Sequence, residues 1–112
     1  MRAYELMIIF DGDVDENAVN AQLAAVNKLV QAGGGTIAKT DRWGRRRFAY
    51  EINKKWEGIY IVLEISTEGR DLHEVERILH LADEVVRFKT IRLPEKEAAR
   101  RGLLGAASPT AG

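Results

Sequence analysis

Residues 3–10, Ala-Tyr-Glu-Leu-Met-Ile-Ile-Phe, are apolar almost throughout, which predicts a central strand covered on at least one face. At a spacing of two, Tyr4, Leu6, Ile8 and Phe10 form its core side and Glu5, Met7 and Ile9 the other. Asp11-Gly12-Asp13 stops the strand. The period then lengthens: Val19, Leu23, Val26 and Val30 fall on one face of a helix from about 15 to 32. Asp13 and Glu16 have the spacing of a capping box, and Gly33-Gly34-Gly35 supplies the stop.

A second strand is predicted over roughly 36–52, bent or bulged near Gly44, with Phe48, Tyr50 and Ile52 on one face. Asn53 to Glu57 reads as a hairpin loop. Gly58 to Ser66 is the third strand, burying Ile59, Ile61, Leu63 and Ile65 and turning Tyr60, Val62 and Glu64 the other way. Asp71 and Glu74 repeat the capping-box spacing before a helix over about 71–82, whose inward residues are Leu72, Val75, Ile78, Leu79 and Ala82. Val85 to Leu93 is a fourth strand, interrupted by Arg87, Lys89 and Arg92 as suits an edge. These elements make 1–93 a single domain. Residues 94–112, charged and then small and polar, are expected to form a tail disordered when free.

The order βαββαβ, two right-handed crossovers around one hairpin, defines an α+β fold, the ferredoxin-like sandwich. Its four-stranded antiparallel sheet has order 4-1-3-2, with two helices on one face and the second strand at an edge. The other face is open, and Met7, Ile9, Tyr60, Val62 and Ile91 make it more apolar than a solvated face needs to be. Such a patch marks a partner surface.

Composition adds one feature to this picture. The 112 residues include 17 Lys+Arg, 17 Asp+Glu and no cysteine. Without cysteine there are no disulfides, thiolate metal sites or cysteine nucleophiles, in keeping with a reducing cytosol. The N-terminus lacks the apolar core of a signal peptide, and no apolar run approaches the roughly 18 residues of a membrane span. A soluble intracellular chain is expected. The neutral total, however, hides a polarised distribution: Lys39 to Lys55 holds seven Lys/Arg against two Asp/Glu. Arg45, Arg46 and Arg47 sit there beside aromatic strand residues, and Lys54 and Lys55 follow at the hairpin. A basic stripe interleaved with aromatics suits a phosphate backbone, and it also suits a solvated edge strand kept from pairing.

Other chemistry is not supported. Asp11, Asp13 and Asp15 alternate as in a calcium loop, but Glu16 stands where that loop needs glycine and Gln22 where it needs glutamate. Gly33 to Gly35 is not followed by Gly-Lys-Ser/Thr. His73 and His80 are two helical turns apart, roughly 10 Å, too far to share a metal. No catalytic constellation is visible. The open face offers only Tyr60 for stacking a base, so backbone contact by arginine is better supported than base reading.

Met1-Arg2-Ala3-Tyr4-Glu5, Gly44-Arg45-Arg46-Arg47-Phe48-Ala49-Tyr50, Glu57-Gly58-Ile59-Tyr60 and Asp83-Glu84-Val85-Val86-Arg87 together resemble the bacterial small-subunit ribosomal protein S6 family over about 1–93. The resemblance implies the same ferredoxin-like fold and a structural role in the cytoplasmic ribosome. It implies binding to the central domain of small-subunit ribosomal RNA with ribosomal protein S18 as heterodimer partner, and neither enzymatic activity nor cofactor. By position, Arg2 and Tyr4 match the family's N-terminal motif and are expected near RNA. Arg46 and Arg47 match its paired basic residues, with Arg45 additional. Lys54, Lys55, Lys89 and Arg92 complete the expected RNA-binding set. Tyr60 matches an aromatic position on the open face, and Met7, Ile9, Val62 and Ile91 join it as expected partner contacts. Two other classes share the fold: regulatory ligand-binding modules that act as homodimers, and a small phosphatase. The phosphatase uses an arginine after the first strand, where this chain has the acidic Asp11 to Asp15.

Overall fold

The computed structural model describes residues 2–68 and 72–103. Its elements are β1 (Arg2–Asp11), α1 (Glu16–Ala32), β2 (Gly35–Ile52), β3 (Lys55–Thr67), α2 (His73–Leu81), β4 (Val85–Arg92) and α3 (Glu95–Arg100). The sheet runs β2-β3-β1-β4, the expected order read from the other edge, with all neighbours antiparallel. Tyr4, Leu6, Ile8 and Phe10 of β1 and Ile61, Leu63 and Ile65 of β3 form the sheet's contribution to the main core. Val19, Val26 and Val30 of α1 and Val75 and Leu79 of α2 cover them. Fully burying a side chain such as Leu6 or Phe10 contributes about 2 kcal/mol.

The cap of α1 is Asp15, not Asp13: the Asp15 carboxylate accepts the Ala18 N–H at 2.9 Å. Asp13 is engaged one turn earlier, its N–H donating to Asp11 Oδ1 at 2.9 Å in an Asx turn that leads the chain off β1. The α1 stop uses Gly34, whose φ of 87° only glycine adopts cheaply. Helix α2 starts at His73 with Leu72 as a cap that makes no side-chain hydrogen bond. Asp71, the cap expected from sequence, lies outside the described residues.

The β2–β3 hairpin departs most from a plain ladder. Gly44, at φ 84°, sits at a register shift, the expected bulge. The turn is tighter than the expected 53–57 loop: Ile52 pairs with Lys55 and β3 begins there. Asn53 and Lys54 both have positive φ, 49° and 64°, the backbone of a two-residue hairpin turn. Asn tolerates that conformation, whereas lysine pays for it. Lys54→Gly is therefore expected to stabilise the fold by about 0.5 kcal/mol, read as a raised denaturation midpoint at unchanged m-value.

Between Arg47 and Ile52 the ladder with β3 is interrupted, and the hairpin bends over the open face. The tip of the Phe48 ring and Ile9 Cγ2 meet over Gly58, and at the turn Asn53 Nδ2 donates to the Val86 carbonyl of β4 at 3.0 Å. At the opposite end the chain continues past residue 93 into α3. There Ala98 and Leu103 pack with Ala3 and Leu93, and the Ser66 hydroxyl donates to the Leu103 carbonyl at 2.7 Å. Glu5 and Glu64 stand directly opposite each other, a repulsive pair if left alone. Arg101 lies against both, at 3.4 and 3.2 Å, and pairs with Glu97 at 2.6 Å. The expected disorder of the free tail beyond this point, 104–112, lies outside the described residues.

Candidate nucleic-acid interface

The three arginines are exposed but differently employed. Arg46 pairs with Gly58 across the ladder, places its guanidinium 5.8 Å from the Trp43 ring centre and donates from Nε to the Trp43 carbonyl at 3.3 Å. Arg47 sits 5.7 Å from the Trp56 ring centre. Trp43 in turn stacks parallel on Tyr60, with centroids 6.1 Å apart, and Phe48 meets Tyr60 edge-on at 6.2 Å. A guanidinium laid on an indole is held in place while its N–H groups remain available to a phosphate. Arg45 instead pairs with Glu57 at 3.2 Å, so its charge is locally neutralised.

Lys55 is likewise committed, with Nζ 2.9 Å from Asp11. The Asp13 N–H and then Lys55 hold the Asp11 carboxyl below its ordinary range, and Asp11 raises the Lys55 ammonium above its own. A carboxyl lowered on folding stabilises the fold above its unfolded pKa and loses that contribution as pH falls through the folded value. Thermal melts across the acid range should therefore show a shallower decline for Asp11→Asn than for the parent, and a lower melting temperature at neutral pH.

The remaining expected RNA contacts separate. Lys54 is exposed at the hairpin turn and Lys89 on β4. Arg2 and Arg92 lie together beside Glu95 at the α3 end of the sheet. Tyr4 requires a correction: it is 7 % exposed and part of the helix-side core, because alternation along β1 gives it the face of Leu6, Ile8 and Phe10, and only Arg2, at the strand's first residue, remains exposed on that face. Arg87, absent from the expected set, pairs with Ile9 as Lys89 pairs with Met7. It shares their face of the sheet, and the period-two step from Lys89 was the signal for it.

The expected partner patch also changes. Ile9 and Val62 are buried, at 3 % and 6 % exposure. Alternation assigned their face correctly, but the bent hairpin and the aromatic cluster on that face remove the expectation that they are accessible. Met7 and Tyr60 are half-buried, and Ile91 is 44 % exposed. Among the described residues no three His, Cys, Asp or Glu side chains are grouped to hold a metal, and His73 and His80 are both exposed.

The chain is thus a ferredoxin-like sandwich whose edge hairpin is basic and braced by aromatic rings. The family model of Ribosomal protein S6 matches residues 3–92. Small ribosomal subunit protein bS6 of Leifsonia xyli subsp. xyli is 46 % identical over 95 residues, covering 85 % of this chain and 74 % of that one. The bS6 of Acidothermus cellulolyticus is 46 % identical over 92 residues, covering 82 % and 96 %. The crystal structure of 30S ribosomal protein S6 from Thermotoga maritima matches with a TM-score of 0.80 at 35 % identity, covering 89 % of this chain and 94 % of that one. The chain belongs to the ribosomal protein S6 family, whose members are structural proteins of the small ribosomal subunit and not enzymes.

Proposed function

We propose that this chain binds the central domain of small-subunit ribosomal RNA as a structural constituent of the subunit, together with ribosomal protein S18. The observation that carries the reading is the placement of Arg46 and Arg47 on an edge hairpin, each against an indole and neither paired with a carboxylate among the described residues. Such groups position an RNA backbone through phosphates and give binding that is salt-dependent and weakly base-specific. The balance of 17 basic and 17 acidic residues leaves the isolated chain little excess charge for RNA, so the partner supplies further basic surface. A basic partner fits the end of the open face where exposed Ile91 pairs with Glu5 and Glu64 and Glu97 stand close by around Arg101.

Native gel shift of the central-domain RNA fragment, with and without S18 across a salt series, tests this. A shift only with both proteins, weakening steeply with salt, supports co-assembly. A submicromolar shift by this chain alone at physiological salt contradicts the need for the partner, and no shift with both removes the reading.

A further inference from the structure

The bent hairpin encloses a groove of about 370 Å³ between itself and the open face of the sheet. Its floor is apolar, made by Met7, Ile9 and Tyr60, and Tyr50 forms part of its wall while remaining 63 % exposed. Three cations, Arg47, Arg87 and Lys89, line it, and no carboxylate does. None of the three is in an ion pair among the described residues. That sets them apart from Arg45, Lys55 and Arg101, whose charges meet Glu57, Asp11 and the glutamates at the α3 end.

We infer that this groove takes one unpaired nucleotide of the bound RNA. The inference rests on the RNA-binding reading above and names a subsite within it. An aromatic-walled apolar floor offers a base the stacking that single-stranded RNA recognition uses, and the ring of unpaired cations offers its flanking phosphates charge-assisted contacts. The volume lies at the small end of the roughly 300–1,000 Å³ of small-ligand sites, too small for a helix about 10 Å across. Charge chooses the occupant: a basic protein segment would be repelled by Arg47, Arg87 and Lys89, whereas RNA neutralises all three. The open face is thereby divided, its acidic α3 end facing the protein partner and its cationic hairpin end the RNA.

The test uses the full chain with S18 on the central-domain RNA fragment. Ultraviolet crosslinking followed by mass spectrometry of the peptides is expected to return a nucleotide adduct on Tyr50 or Tyr60. Tyr50→Ala is expected to weaken RNA binding by roughly tenfold with no change in S18 affinity or melting temperature, since the ring is largely exposed. RNA binding with no adduct at either tyrosine, a crosslink from them to the S18 chain, or unchanged RNA affinity in Tyr50→Ala would each overturn the groove while leaving the RNA-binding function standing. Failure of the RNA to bind the unsubstituted proteins would overturn that function and the groove together.

Discussion

Replacing Gly58 with alanine is expected to destabilise the fold by about 2 kcal/mol and to lower the melting temperature by roughly 10 °C. A Cβ there would lie 2.6 Å from Ile9 Cγ2, 2.8 Å from the end of the Phe48 ring and 2.9 Å from the Phe10 carbonyl oxygen. Phe48 could swing away, but the Phe10 carbonyl belongs to the central strand β1, whose register against β3 pairs Asp11 with Gly58. Relief must therefore come from lifting the hairpin off the sheet or from shifting two paired strands. Gly33→Ala is the control, because its added Cβ would meet neighbours only at 3.6 Å and beyond, and it should melt much closer to the parent. If Gly58→Ala melted like the parent, Phe48 would not be packed on the sheet and the hairpin would not roof it. The variant also has a second expected readout. A displaced Phe48 loses its edge contact with Tyr60 and opens the groove beneath Tyr50, so RNA affinity should fall along with stability.

The clash explains why glycine stands at 58, between Glu57 and Ile59, and marks where sequence reasoning reached its limit. Alternation along β1 and β3 identified the core side correctly: Leu6, Ile8 and Phe10, with Ile61, Leu63 and Ile65, are at most 1 % exposed. Gly44 was legible as the bulge because only its conformational freedom accounts for a glycine within a strand. Periodicity assigns a residue to a face, however, and says nothing of what later covers that face. Ile9 and Val62 were assigned to the open side and are buried there; over Ile9 the cover is Phe48, brought in where the chain bends between Arg47 and Ile52, a departure with no local signature beyond the bulky Phe48 and the missing side chain at Gly58. Arg45 and Lys55 read as free basic residues because their carboxylates come from elsewhere in the chain, Glu57 twelve residues on and Asp11 on another strand. Helix α3 was hidden for another reason: its apolar anchors, Ala98 and Leu103, are few, and they bury themselves against residues as small as Ala3.

In the complex with S18, replacing Arg46 and Arg47 together with glutamine is expected to lower the slope of log affinity against log salt by about 1.5, two phosphate contacts at roughly 0.7–0.9 each. Arg45→Gln should change it by much less, because neutralisation by Glu57 at 3.2 Å already offsets the charge the RNA would meet. Stability separates this from a structural explanation. Each guanidinium covers an indole that is about half exposed, Trp43 at 47 % and Trp56 at 48 %, and an exposed contact of that kind contributes only about 0.5–1 kcal/mol. The double variant should thus remain folded, its melting temperature a few degrees lower, while the salt slope falls. Arg45→Gln breaks an ion pair whose partners are 55 % and 43 % exposed and should hardly move the melting temperature. Equal slope changes for Arg45 and for either neighbour would mean that RNA pulls Arg45 off Glu57 on binding. All three arginines would then act as the single basic stripe that the sequence suggests, at the cost of leaving Glu57 unpaired. A slope unchanged in the double variant would move the phosphate contacts away from β2, leaving Arg87 and Lys89 of β4, with Arg2 and Arg92 at the far end of the sheet, to hold the RNA.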